Sequence, residues 1–95
     1  MGEFAKVIQP HLDAHGIEGP EDLARKIRAA GEWRGAPEVR RWMSGDPSVA
    51  GYGDLFAIER IFDLNDEEAA AVEAAFIRDV RAQMEATRKE RARSE

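Results

Sequence analysis

The 95-residue sequence contains no cysteine. That removes disulfides, zinc–thiolate centres and a cysteine nucleophile from consideration. Long apolar runs are also missing: none reaches the roughly 18 residues that a membrane-spanning helix needs. The first segment, MGEFAKVIQPHLDAHG, carries charges every few positions and has no apolar signal core. The expectation is a cytoplasmic protein without a membrane partner. β-branched residues are scattered and no segment alternates at period two, so strands are not expected.

Catalytic signatures are equally scarce. Ser44 and Ser48 have no triad partners, because both histidines lie in the first helical segment and no nucleophile elbow is present. The glycines between residues 45 and 53 are followed by no lysine and preceded by no strand, which is not a phosphate-binding loop. His11 and His15 have the four-residue spacing of a shared metal site but lack a third ligand, and read as surface or helix-end histidines. The acids from Asp63 to Glu68 lack calcium-loop spacing and suit a helix start. The reading is a non-enzyme with no cofactor and no metal.

Charge is present in quantity, 35% of residues, and unevenly placed. Residues 21–45 carry six bases and four acids, residues 46–77 one base and eight acids, and residues 78–95 six bases and four acids. A net charge of −5 disfavours general nucleic-acid binding, but the first basic stretch is a possible local footprint.

Apolar residues recur at three and four throughout, predicting an all-α fold of five helices. Phe4, Val7, Ile8 and Leu12 share one face of the first, which Pro10 is expected to kink or restart. Pro20-Glu21-Asp22 and Ala36-Pro37-Glu38 each open a helix, with proline in the first turn and acids near the positive end of the dipole. In the third helix Val39 and Trp42 face inward while Arg40 and Arg41 point outward. Leu55, Ile58, Ile61 and Phe62 mark the fourth, and Asn65 with Glu68 forms a capping box for the fifth.

The Leu23-Ala24 pair, the Val39-x-x-Trp42-x-x-Gly45 run and the Leu55-x-x-Ile58 helix, in this order, resemble the lambda-repressor-like (Xre/Cro) helix-turn-helix family. The resemblance spans Phe4 to Leu64. It implies a five-helix domain that regulates transcription by reading duplex DNA with a recognition helix at about residues 36–44. Two departures stand out. The step from Leu23 to Val39 is longer than the family's, and Ala36, Pro37 and Glu38 occupy positions where the family places Gln, Ser, Thr or Asn. The DNA-binding residues expected are Arg34, Glu38, Arg40 and Arg41: arginine presents a fork to phosphate or guanine, and a carboxylate accepts from cytosine. The competing reading is a protein-interaction module that keeps the fold without sequence-specific DNA binding. Trp33, an aromatic in a polar turn, is expected to cover the edge of the core.

The last helix is predicted to run from Asn65 to about Arg88, roughly 36 Å, longer than the core beside it. Residues 1–77 therefore read as the domain and 78–95 as the distal helix and charged tail. The stripe Val72, Phe76, Val80 and Met84 outruns that domain, so Phe76, Val80 and Met84 are expected to form a homodimer interface.

Overall fold

The computed structural model describes residues 2–94. Among these residues the chain forms five α-helices and no strand: α1 (Glu3–Ala14), α2 (Pro20–Ala29), α3 (Ala36–Met43), α4 (Tyr52–Ile61) and α5 (Asp66–Ser94). A single 3-10 turn, Pro47–Val49, lies between α3 and α4. No helix among them is long and apolar enough to cross a membrane.

The expected boundary signals operate. Pro20 and Pro37 sit in the first turns of α2 and α3. The Asn65 side chain accepts from the Glu68 amide at 2.8 Å, and Glu68 accepts from the Asn65 amide at 3.0 Å. Pro10 differs from expectation, because α1 runs through it as one helix. Proline removes the donor for the carbonyl four residues back, that of Lys6. Both residues lie on the exposed face, where water can replace that donor.

The helices enclose one core in which α1 lies along α5 and α2 packs on α3. At its centre the Trp42 ring stacks on Phe4, with centroids 4.2 Å apart and planes 11° from parallel. The edge of Phe76 completes the group at 6.2 Å from Trp42. Val39 and Trp42 are buried as their spacing predicts. The rings of His11 and His15 lie against Phe62, at 6.1 and 5.0 Å.

Two buried carboxylates tie helix ends together. Asp79, on α5, accepts from the amides of Glu3 and Phe4 at 2.8 and 3.0 Å. It thus caps α1 in place of Gly2, which has no side chain to do so. The approach is close: a Cβ at Gly2 would lie 2.8 Å from both the Asp79 carboxylate and the Gly45 Cα. Gly45 itself has φ +110°, a conformation that favours glycine. Asp54, 1% exposed, is the second buried acid. It accepts from the Gly51 amide at the start of α4, at 2.8 Å.

α5 continues to Ser94, beyond the expected end near Arg88. Its 29 residues span about 43 Å, most of the 46 Å long axis of the molecule.

Candidate nucleic-acid interface

α3 divides cleanly by exposure. Val39 and Trp42 are buried, whereas Pro37, Arg40, Arg41 and Ser44 are exposed at the i, i+3, i+4, i+7 spacing of one helical face. Packing of α2 on the buried side leaves this outer face open to solvent.

The four expected DNA-binding residues occupy different environments. Arg40 is exposed, and its guanidinium forms no hydrogen bond or ion pair among the described residues. Arg41 is also exposed, but its guanidinium pairs with Asp46 at 2.7 Å. Glu38 is half-buried, and its carboxylate lies 3.1 Å from where a side chain at Gly35 would begin. Arg34 is drawn inward to Asp54 at 2.8 Å. Arg40 and Arg41 therefore share the outer face, while Glu38 sits in the first turn of α3 and Arg34 precedes the helix.

Asp46 organises the far end of α3. Its carboxylate accepts from the Ser48 hydroxyl and amide, from Arg41 and from Gln83 on α5. These bonds, led by the Ser48 hydroxyl and followed by Gln83 and Arg41, hold its pKa well below the usual carboxylate range. Asp46 stays ionised and fixes the Arg41 guanidinium in one orientation. The proximity of Asp46 and Ser48 to Arg41 was readable from sequence, but the partnership with Gln83, 37 residues away, was not.

The long segment between α2 and α3 is fastened along its length. Arg28 donates to the Arg34 carbonyl at 2.7 Å, and Arg60 to the Ala30 carbonyl at 3.2 Å. The Glu32 carboxylate occupies the space a side chain at Gly53 would need. Trp33, expected over the edge of the core, is instead 79% exposed. With the turn held by the polar groups of its neighbours, no apolar contact is needed to seat the indole. It stands in solvent close to the start of α3.

The three residues expected at a dimer interface also separate. Phe76 is only 8% exposed because it packs on Trp42 of its own chain. Val80 is half-buried against the core, and Met84 is 54% exposed. Ile77 is exposed beside them, as are Tyr52 and Phe56 on α4. Sequence periodicity missed these three because each lies off the stripe that α4 or α5 turns to the core.

No family model, curated protein or solved structure matches the chain.

Proposed function

We propose that the protein is a small DNA-binding transcriptional regulator whose helix-turn-helix unit is α2 and α3, with α3 as the recognition helix. The observation that carries this reading is the outer face of α3, where Arg40 and Arg41 stand exposed behind a core formed by Val39 and Trp42. The resemblance to the lambda-repressor-like family, together with the order of five helices, supports it. Arg40 supplies a free fork for phosphate or for guanine O6 and N7, and Arg41 one already oriented by Asp46. Trp33 offers an exposed aromatic surface in the turn that precedes α3. The acting unit in this proposal is a homodimer, which presents two α3 helices to one duplex.

The test is an anisotropy titration of random-sequence duplex DNA at two salt concentrations. Wild-type protein is expected to bind with an affinity that falls as salt rises. Arg40→Ala, at a site without structural partners, should weaken binding by about 1–3 kcal/mol at unchanged melting temperature. Absence of salt-sensitive binding at micromolar protein overturns the proposal. The protein-interaction reading then takes its place, favoured by the exposed apolar surface of Tyr52, Phe56 and Ile77.

A further inference from the structure

Between α4 and α5 lies an open groove of about 460 Å³, walled by Tyr52, Phe56, Ile77 and Val80 and closed at one side by Glu59 and Glu73. The two acids are a poor match for an empty groove. One carboxyl oxygen of Glu59 is buried without a hydrogen-bond partner. Partial burial, and then the neighbouring Glu73, push the Glu59 carboxyl above its usual pKa. An occupant that suits this surface brings an apolar stripe and, beyond it, a cation.

The far half of α5 carries that combination. Met84 is exposed, and Arg88 lies one turn further on. Glu73, Ile77, Val80 and Met84 follow one another along α5 at steps of four, three and four, a single stripe. The tail cannot reach the groove of its own chain, because α5 is one uninterrupted helix. It can reach the groove of another.

We infer that two copies of the chain pair through antiparallel α5 helices, so that Met84 of one covers Ile77 of the other and Arg88 of one lies between Glu59 and Glu73 of the other. Spacing and charge agree on this register. Glu73 precedes Ile77 by four residues and Arg88 follows Met84 by four, so an antiparallel alignment satisfies both pairs together. Residues 66–77 carry four acids and no base, and residues 78–95 carry six bases and four acids. Antiparallel pairing sets the acidic half of each helix against the basic half of its partner, and a parallel pairing sets like against like. The groove on α4 becomes part of the interface, and Phe76, already buried in its own domain, contributes little.

This inference rests on the dimeric part of the proposed function and supplies its register. The experiment is analytical ultracentrifugation of the full chain at tens of micromolar, with circular dichroism as the check on folding. Wild type should sediment as a dimer. Arg88→Glu, in an exposed stretch that makes no core contact, should weaken pairing about a hundredfold, and adding Glu73→Arg to it should restore the dimer. A wild-type dimer indifferent to Arg88→Glu overturns the register while leaving a homodimer in place. Loss of the dimer in Arg88→Glu without rescue by Glu73→Arg overturns the Glu73–Arg88 pairing. A wild-type monomer overturns both the pairing and the dimeric proposal, and leaves the groove to a different protein. None of these outcomes depends on DNA, whose binding is read separately in the titration.

Discussion

The Phe4 and Trp42 rings lie face to face at 4.2 Å, joining the first turn of α1 to the last turn of α3. A stacked pair of this kind adds about 0.5–1.5 kcal/mol to the burial of two large rings. It also places the outer face of α3 by anchoring the opposite one. Trp42→Ala should therefore lower stability by about 3–5 kcal/mol, a large part of what a small domain possesses. Chemical denaturation checks this, and a variant as stable as wild type would show that α3 is turned differently.

Arg34 serves as the test of a contrasting role. Its guanidinium faces a carboxylate that is almost completely buried. Removing it leaves Asp54 charged with only the Gly51 amide as a partner. Arg34→Ala is expected to destabilise the fold by about 3 kcal/mol. Replacing both members, as Arg34→Met with Asp54→Leu, should recover part of that loss, although Gly51 then loses its acceptor. Thermal melts of the two variants beside wild type decide the matter, and an Arg34→Ala protein with an unchanged melting temperature would place Arg34 free on the surface.

Asp79 should prove more demanding than an ordinary helix cap. Both of its oxygens accept from backbone amides. Asparagine retains only one acceptor and turns its amide group toward an N–H, so Asp79→Asn should rescue little. Both Asp79→Ala and Asp79→Asn are expected to lose about 1–2 kcal/mol. Amide exchange at Glu3 and Phe4 should accelerate in either variant, by more than at amides in the middle of α5.

Glu59 gives a dependence on pH of the opposite sign to that of a salt-bridged acid. Its carboxyl is raised by burial and by Glu73. A raised acid binds its proton more tightly in the folded state, so its contribution favours folding below the unfolded pKa and is lost as pH rises through the folded one. In an Arg88→Glu background, which keeps the chain monomeric in the proposal above, Glu59→Gln should stabilise the protein at pH 7, on the order of 0.5 kcal/mol. The advantage should disappear in acid. Melting curves at pH 4 and pH 7 measure it, and a loss of stability at pH 7 contradicts the assignment.

Much of the architecture was legible because local chemistry specifies it. Proline and acids open α2 and α3, the Asn65–Glu68 exchange opens α5, and the three- and four-residue spacing identifies Val39 and Trp42 as inward-facing. Pro10 was misleading because its disruption depends on whether the freed carbonyl meets solvent, which is a tertiary property. The interior roles of Asp54 and Asp79 were invisible for a related reason. Each looks like an ordinary surface acid in sequence, and its partners, Arg34 and the amides of residues 3 and 4, lie 20 and more residues away. The same distance hid the inward turn of Arg34, whereas Arg40 and Arg41 could be assigned to the outer face from their offset to Val39 and Trp42 alone.

The fastening of the segment between α2 and α3 alters where the molecule opens first. An extended turn is ordinarily the point at which a helical domain frays. Here the α3 end, at Arg34, is held by Arg28 from α2 and Asp54 from α4, and the α2 end, at Ala30, by Arg60 from α4. The start of α3 therefore cannot detach alone, because its release breaks contacts belonging to three helices. These residues form one cooperative unit, and their amides should share the exchange protection of the core. The low-stability end lies instead at the distal turns of α5, which leave the globule behind. Fluctuation is thus concentrated where a second chain is proposed to pair, and withheld from the helix proposed to read DNA.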